Sequence, residues 1–344
     1  MNQDRLVSRV HRANDKLDTG GEFVPLRWLL NPHLMTIATV FWRRNFPRLP
    51  RGVARNFEVE PGSFVGAVCH WQDEPRAHPT LVLLHGLEGS IDSGNILGTA
   101  EKAYAAGFNA IRLNQRNCGG TESLTPTLYH SGLSGDIRAV LLELIGKDGL
   151  PEIFAVGFSM GGNLVLKMAG ELEDAAPLEI RGFVAVAPAC SLAACVDALE
   201  RPQNFIYQNH FVKSLKQRMK HKAQLFPQLY PIDGMRDIRT VRQFDDVITA
   251  RFCGFADAQD YYTRSSALRV VAAIRRPTLI LTAKDDPCVP FATFADHAIR
   301  TNPNITFIAT EYGGHCAFIS NEKGDARFWA ENKIVAFCKA VSQK

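Results

Sequence analysis

Ile153-Phe-Ala-Val-Gly-Phe-Ser-Met-Gly-Gly-Asn163 is the stretch of sequence that decides the fold. Residues 152–158 are an apolar run that predicts a buried strand, and residues 161–172 predict the helix that follows it. Gly157 and Gly161 flank Ser159 at the turn between them, where a tight backbone leaves no room for larger side chains. A serine at the apex of such a strand–turn–helix unit exposes its hydroxyl above the sheet, which is typical of a nucleophile.

The alternation of strands and helices continues on both sides of this stretch. Apolar runs predict further strands at residues 80–85, 108–113, 180–188, 277–283 and 305–310. Helical patterns lie near 94–106 and 134–147, and a last amphipathic helix is expected at about 324–342. Strands that are apolar throughout are buried on both faces. The sequence therefore predicts an α/β fold with a mostly parallel central sheet and helices on both faces, its active loops at the carboxyl ends of the strands.

The pattern divides the chain into a core, an extension and an insertion. Residues 76–190 and 266–344 carry the alternation and form the expected core. Residues 1–75 precede it as an N-terminal extension, in which 54–70 alternate like an antiparallel hairpin at the sheet edge. Residues 191–265 have helical patterns without a clear strand, and we interpret them as a helical cap. The alternative is an enlarged crossover with no role in substrate binding, but a long insertion in a compact domain favours the cap.

Composition is that of an ordinary globular protein. Of the 344 residues, 46% are hydrophobic and 22% are charged, and a net charge of +4 gives no indication of nucleic-acid binding. The eight cysteines include no C-x-x-C pair, so we expect reduced, mostly buried thiols and a cytoplasmic location. Metal-binding and nucleotide-binding motifs do not occur in the sequence, so we expect neither a metal nor a cofactor.

The N-terminal part of the chain carries no predicted transmembrane segment. Residues 1–20 are polar and charged, and they predict no signal peptide. Residues 28–42 are apolar but too short to span a bilayer, and an Asn-Pro-His sequence interrupts them. We interpret this segment as a buried helix at the protein surface, although the two arginines after it leave open a peripheral membrane contact.

A catalytic acid is expected where the strand 277–283 ends, in Lys284-Asp-Asp-Pro-Cys-Val-Pro290. Asp286 stands in a D-x-x-V-P pattern at this carboxyl end and is the preferred acid. Asp285 is the alternative, and an Asp-Asp-Pro turn without a catalytic role would use the same residues.

A catalytic base is expected after the strand 305–310, in Glu311-Tyr-Gly-Gly-His315. Two glycines allow this loop to carry the His315 imidazole toward Ser159. The order serine, aspartate, histidine along the chain then predicts a triad, in which His315 takes the Ser159 proton and Asp286 fixes the His315 tautomer.

An oxyanion hole is expected from two backbone N–H groups, those of Leu87 and Met160. Leu87 lies in His85-Gly-Leu-Glu-Gly89, which ends the first core strand, and Met160 follows the serine. His85 is interpreted as a structural support of this turn. Three other candidates could line the pocket, but structural packing and helix capping explain them at least equally well: His130, Tyr261 and Tyr262.

The sequence resembles the α/β-hydrolase superfamily, and more narrowly its fold-4 esterase subfamily of bacterial hydrolases, fungal medium-chain ethyl ester synthases and animal phospholipase-like members. The matching stretches extend from about residue 31 to 320: Asn31-Pro-His-Leu-Met-Thr36, His85-Gly-Leu-Glu-Gly-Ser90, Tyr129-His-Ser-Gly132, Gly157-Phe-Ser-Met-Gly-Gly-Asn163, Asp257-Ala-Gln-Asp-Tyr-Tyr262, Asp285-Asp-Pro287 and Tyr312-Gly-Gly-His315. The resemblance implies an α/β-hydrolase fold and ester hydrolysis or acyl transfer by Ser159, Asp286 and His315. Asn114-Gln-Arg-Asn-Cys-Gly-Gly120 departs from the pattern, which expects Arg-Gly after an aromatic residue or histidine.

We therefore predict a serine hydrolase that cleaves carboxylic esters with short- to medium-chain acyl groups, acting on a small-molecule or lipid ester. Alternatives that use the same residues are acyl transfer to an alcohol and a lipase- or phospholipase-like activity. If the cap is a lid, its apolar residues should line a groove over Ser159, and the candidates are Phe205, Phe211, Leu215 and Met219. The basic residues of the same helical pattern are expected on its solvated face: Lys213, Lys216, Arg218, Lys220 and Lys222.

Overall fold

A computed structural model describes residues 21–232 and 234–342. Residues 1–20 lie outside the described residues. The prediction that they contain no signal peptide therefore concerns a part of the chain that the structure does not describe. The strands of the central sheet are β1 (Val53–Glu60), β2 (Ser63–His70), β3 (Thr80–Leu84), β4 (Asn109–Leu113), β5 (Ile153–Phe158), β6 (Ile180–Val186), β7 (Thr278–Ala283) and β8 (Ile305–Thr310). Their order across the sheet is β1-β2-β4-β3-β5-β6-β7-β8.

Helices connect and cover these strands. In the part of the chain that the structure describes they are α1 (Pro32–Phe41), α2 (Gly94–Ala105), α3 (Ser134–Gly146), α4 (Met160–Leu172), α5 (Leu192–Leu199), α6 (Phe205–Leu225), α7 (Val241–Phe244), α8 (Arg251–Cys253), α9 (Ala258–Ser265), α10 (His297–Thr301) and α11 (Trp329–Ser342). A π-helical segment, Asp245–Ala250, joins α7 to α8. Short 3₁₀ turns occupy several of the loops.

Neighbouring strands from β4 through β3 to β8 are parallel, while β2 pairs antiparallel with β1 and with β4. This mostly parallel sheet, flanked by helices, confirms the predicted α/β fold. Each core strand agrees with its predicted range to within one or two residues. The hairpin of β1 and β2 closes one edge of the sheet, in the region where the sequence alternates.

Two hydrophobic layers, one on each face of the sheet, explain why the core strands are apolar at every position. Along β3, Leu81 and Leu83 belong to one layer and Val82 and Leu84 to the other. One layer includes the apolar faces of α3 and α4, and the other includes those of α2 and α11. Because successive side chains of a strand point to opposite faces, a strand covered on both sides must be apolar at every position.

Residues 191–232 and 234–265 lie between β6 and β7, and we call them the cap. They contain α5 to α9 and, among the described residues, no strand. The sequence analysis expected the basic side chains of α6 to lie on its solvated face, and this expectation is wrong at two positions. Lys222 is fully buried, and the Arg218 side chain is only 14% exposed. Long cationic side chains can reach polar groups beneath a helix, and both do so here.

Helix α1 differs from the buried helix expected over 28–42. Met35 is its only buried residue within the described part of the chain. Asn31 caps its first turn by accepting hydrogen bonds from the backbone N–H groups of His33 and Leu34. The sequence analysis was therefore wrong about its burial, since three of its apolar side chains are exposed to solvent: Leu34, Val40 and Phe41.

All eight cysteines are free thiols, and six of them are buried. Burial raises the pKa of most of these thiols, for example that of Cys190 to about 12. Within the described ranges, no helix combines the length and the apolar character that crossing a bilayer requires.

Candidate active site

Ser159 lies at the sharp turn between β5 and α4, with φ of 54° and ψ of −116°. A positive φ is strained for a residue with a Cβ atom and is tolerated where surrounding structure imposes it. The surrounding glycines make room for this turn. A Cβ atom on Gly157 would lie 2.1 Å from the Gly161 carbonyl oxygen, and one on Gly161 would lie 2.5 Å from the His85 carbonyl oxygen. The steric argument made from the sequence thus has a direct structural basis.

His315 reaches Ser159 from the loop after β8. Gly313 and Gly314 precede it with φ of 156° and 56°, respectively. Thr36 of α1 holds this loop from behind, because its Oγ1 accepts a hydrogen bond from the His315 backbone N–H at 2.9 Å. Sequence reasoning missed the role of Thr36, although the residue stands in one of the stretches that carry the family resemblance.

The side chains of Ser159, His315 and Asp286 form a continuous chain of hydrogen bonds. His315 Nε2 lies 2.9 Å from Ser159 Oγ, and His315 Nδ1 lies 2.8 Å from Asp286 Oδ2. A carboxylate only accepts, so the Nδ1–H donates to Asp286 and Nε2 is free to accept the serine proton. This arrangement can transfer a proton from a serine hydroxyl to a histidine.

Asp286 and Asp285 have different partners. Asp286 Oδ1 accepts hydrogen bonds from the backbone N–H groups of Cys288 and Val289, which orient Oδ2 toward His315. Asp285 Oδ1 instead accepts from the Gly314 N–H at 2.9 Å, and its Oδ2 is buried without a partner among the described residues. Burial raises the pKa of Asp285. Asp285 therefore braces the loop that carries His315, while Asp286 contacts the imidazole.

Opposing effects act on His315. Burial disfavours the imidazolium, but the adjacent Asp286 carboxylate favours it and outweighs burial, so the pKa of His315 lies well above its ordinary value. This is the electrostatic setting in which a histidine accepts a proton readily.

Leu87 and Met160, the two residues expected to form the oxyanion hole, lie beside the serine. Met160 is the first residue of α4, so its N–H is one of the helix's N-terminal donors that lack an intrahelical acceptor. The turn of Leu87 approaches the serine closely, since a Cβ atom on Gly86 would lie 3.1 Å from the Ser159 Cβ. Both residues line the same pocket as Ser159 and His315.

His85 is buried and supports the turn that carries Leu87. Its Nδ1 lies 2.8 Å from the Gly86 carbonyl oxygen, and its Nε2 accepts from the Gln115 backbone N–H at 3.1 Å. Burial lowers the pKa of His85 to about 4, so the imidazole is neutral at neutral pH. The geometry agrees with the structural interpretation made from the sequence.

A deep pocket opens at Ser159 between the core and the cap. Three of the four cap residues proposed from the sequence line it, namely Phe211, Leu215 and Met219. Phe205 is a correction, because it is 65% exposed and lies outside this lining. Further apolar cap residues complete the wall: Leu192, Val196, Leu199, Val241 and Phe244.

Three further residues line this pocket and also pack its wall: His130, Tyr261 and Tyr262. Pocket lining and structural packing, the interpretations left open by the sequence, therefore each hold in part. Burial lowers the pKa of His130 to about 4, and its ring lies edge-on to that of Tyr261. The Tyr262 hydroxyl donates to the buried Asp245 carboxylate at 2.9 Å. Burial raises the pKa of Asp245 to about 7.

A network of charged and polar groups joins the cap to the turn of Leu87. Arg218 of α6 donates from Nη2 to Glu88 Oε2 at 3.0 Å, and the Tyr129 hydroxyl donates to the other carboxylate oxygen. Arg218 also donates to the carbonyl oxygen of Asn117, in the loop that departs from the family pattern. Sequence reasoning missed this network, because no local pattern brings residues 88, 129 and 218 together.

Asp286, Cys288 and His315 also lie close enough to share a metal ion. The ligand atoms of Asp286 and His315 are already engaged with each other in the hydrogen bond described above, and burial raises the pKa of Cys288 to about 12, which keeps it as a thiol. Metal ligation needs a thiolate, so these residues fit proton transfer better than metal binding.

Comparison with known proteins identifies the family to which this fold belongs. The family model described as "alpha/beta hydrolase fold" matches residues 79–322. The "Putative esterase YheT" of Escherichia coli (strain K12) is 33% identical over 331 residues, which are 93% of this chain and 94% of that protein. "Phospholipase ABHD3" of Mus musculus is 30% identical over 247 residues, which are 72% of this chain and 60% of that protein.

Among solved structures, the Pyrococcus furiosus esterase Pf2001 has a similar fold. Its TM-score is 0.58 at 15% sequence identity, and the match covers 87% of this chain and 94% of that one. At this identity the likeness concerns the fold.

Proposed function

Because the chain belongs to the α/β-hydrolase fold family and is a carboxylic ester hydrolase, we propose that it cleaves esters through an acyl-enzyme on Ser159. The single observation that carries this proposal is the chain of hydrogen bonds from Ser159 Oγ through His315 to Asp286, at 2.9 and 2.8 Å. These atoms meet at the mouth of an apolar pocket, where an acyl group can lie.

In the proposed first step, Ser159 Oγ attacks the ester carbonyl carbon while His315 Nε2 takes the hydroxyl proton. The negative charge that develops on the carbonyl oxygen is stabilised by the N–H groups of Leu87 and Met160. When the bond to the leaving oxygen breaks, the imidazolium returns its proton to that oxygen, and the alcohol departs. The acyl group is then covalently attached to Ser159.

In the second step, water attacks the acyl carbon and gives its proton to His315. Collapse of the tetrahedral species releases the carboxylic acid and returns the proton to Ser159 Oγ. Asp286 stabilises the imidazolium in both steps without being protonated itself. An alcohol in place of water would give acyl transfer, which stays the alternative activity.

The lining of the pocket supports medium-length acyl chains as the substrate class. Each methylene that leaves water for an apolar wall stabilises the complex by about 0.8 kcal/mol. Activity on p-nitrophenyl esters should therefore rise several-fold per methylene until the pocket is full. Repeating the series with an added alcohol separates hydrolysis from acyl transfer.

Ser159→Ala is the decisive variant. Loss of the nucleophile of a triad lowers kcat by roughly 10⁶-fold. We also expect a fluorophosphonate to label the wild-type protein at Ser159, as detected by mass spectrometry of its peptides, and to leave Ser159→Ala unlabelled. Esterase activity comparable to wild type in Ser159→Ala would exclude the proposed nucleophile.

A further inference from the structure

A group of exposed apolar side chains lies just before and on α1 and at the start of α6, and we call it the apolar rim. It consists of Trp28, Leu34, Val40, Phe41, Phe205 and Ile206. Val40 and Phe41 are each 77% exposed, and Phe205 and Ile206 are each 65% exposed. Exposure of clustered side chains of this size to water is energetically unfavourable, and such clusters mark interaction surfaces.

Contacts between α1 and α6 hold the apolar rim together. The rings of His33 and Tyr207 stack with their centroids 5.7 Å apart, and His33 Nδ1 lies 3.2 Å from the Tyr207 hydroxyl. This contact brings Phe205 and Ile206, which directly precede Tyr207, beside the start of α1. Trp28 and Phe41 line one shallow apolar groove along α1.

The apolar rim also adjoins the catalytic loop. Thr36 of α1 holds the His315 backbone, so this helix lies at the carboxyl edge of the sheet. Thr39 and Val40 line a cavity that reaches His315. A hydrophobic molecule that leaves the apolar rim is therefore already close to the reacting groups.

The sequence segment that carries α1 has basic but no acidic side chains. The sequence has no acidic residue between Glu22 and Glu58, but it has six arginines there. Arg44, Arg48 and Arg55 form ion pairs with other parts of the molecule.

Two of the remaining arginines flank α1. Arg27 and Arg43 are exposed and make no ion pair within residues 21–232 and 234–342. Free guanidinium groups beside exposed tryptophan and phenylalanine complement a layer of anionic headgroups over acyl chains. A second copy bound through the same surface would instead bring like charges together.

We propose that the apolar rim docks onto an anionic phospholipid bilayer and holds the active-site entrance at the membrane surface. Tryptophan and phenylalanine insert at the headgroup boundary, where an amphipathic helix lies in the plane of the interface. The arginines contact phosphate groups from above. This binding is independent of the proposed ester chemistry and requires none of its residues.

Sedimentation with lipid vesicles tests the proposal. Ser159→Ala is used as the parent protein, so that lipid turnover cannot contribute. We expect it to bind vesicles of phosphatidylcholine mixed with phosphatidylglycerol more tightly than vesicles of phosphatidylcholine alone. Adding Phe41→Asp should weaken binding roughly tenfold or more, since it removes one inserted aromatic side chain. Adding Arg43→Gln should weaken binding to the anionic vesicles by about fivefold.

Leu178→Asp is the matched control. Leu178 is 76% exposed and Phe41 is 77% exposed, but Leu178 lies just before β6 at the opposite, amino-terminal edge of the sheet. We expect Leu178→Asp to bind vesicles like the parent. In the wild-type protein, which keeps Ser159, the Phe41→Asp substitution should leave turnover of a soluble acetyl ester unchanged. Unchanged turnover shows that the Phe41→Asp variant folds.

Three results would overturn the proposal. The first is that the parent protein does not bind vesicles. The second is that Phe41→Asp binds vesicles as tightly as the parent. The third is that Phe41→Asp and Leu178→Asp lose the same amount of vesicle affinity. Another outcome is that the parent protein does not bind vesicles but forms a dimer in analytical ultracentrifugation. If Phe41→Asp dissociates that dimer, the apolar rim contacts a second copy.

Discussion

Asp285 and Asp286 are adjacent in the sequence, yet only Asp286 contacts His315. Asp286→Asn removes the carboxylate that fixes the imidazole tautomer, and we expect kcat/KM to fall by roughly 10⁴-fold. Asp285→Asn keeps an oxygen that can accept from the Gly314 N–H, so we expect less than a tenfold loss. Both values come from steady-state kinetics on one ester. If Asp285→Asn lost more activity than Asp286→Asn, the acid would be Asp285.

In the proposed mechanism, the pKa of His315 determines the pH dependence of activity. The protonated imidazole cannot accept the Ser159 proton, so kcat/KM is lost as pH falls through this pKa. Burial alone would lower it, but the Asp286 carboxylate raises the pKa well above the ordinary 6.5. We therefore expect kcat/KM to rise with pH, with a midpoint above 6.5.

Asp286→Asn provides the control for this pH profile. Without the carboxylate, burial is no longer outweighed, so the midpoint of the residual activity should move to lower pH. An activity that decreases with rising pH over the same window would contradict His315 as the base.

In the proposed function, helix α6 is the element that decides which acyl chains fit. Phe211 lines the pocket from the cap, whereas Phe205, on the same helix, points away from it. Phe211→Trp adds bulk to the wall, so we expect the optimum in a p-nitrophenyl ester series to shift to shorter chains. Turnover of the acetyl ester should be unchanged. Phe205→Trp is the matched control and should leave the whole profile as in wild type.

An identical chain-length profile for Phe211→Trp and wild type would show that the cap does not contact the acyl group. The insertion would then act as an enlarged crossover. The proposed triad would be unaffected, because its three residues belong to the core.

At the scale of the whole molecule, Arg116 joins three separate parts of the chain. Its guanidinium is 2% exposed and donates to Asp136 at the start of α3, to Glu60 at the end of β1 and to Thr127. Arg116→Met would leave the Asp136 carboxylate buried without its cation. We expect the free energy of unfolding to fall by about 3–5 kcal/mol. Urea denaturation measures this change.

Two further variants make that test specific. Asp136→Asn in the Arg116→Met background removes the unpaired charge and should restore part of the lost stability. Arg55→Met breaks ion pairs to Glu143 and Asp148 that are partly exposed, so the loss should be about 1 kcal/mol or less. Equal losses for Arg116→Met and Arg55→Met would contradict a special role for the buried pair.

Local sequence patterns were enough to predict the strands, the principal core helices and the turn at Ser159. A strand buried on both faces must be apolar at every position, and a turn as tight as this one needs glycine at residues 157 and 161. These requirements act between near neighbours along the chain. The candidate residues of the triad followed from the same source, since parallel strands bring their carboxyl ends to one edge of the sheet.

The tertiary structure alone decided which side chains of each element meet. It brought Phe211 to the pocket and left Phe205 exposed, buried Lys222 on the predicted solvated face of α6, and brought Thr36 to the loop of His315. Helical periodicity predicts that a helix has an apolar face, but not how that face is rotated against distant elements. That rotation depends on packing and buried hydrogen bonds between residues far apart in the sequence, which no local pattern contains.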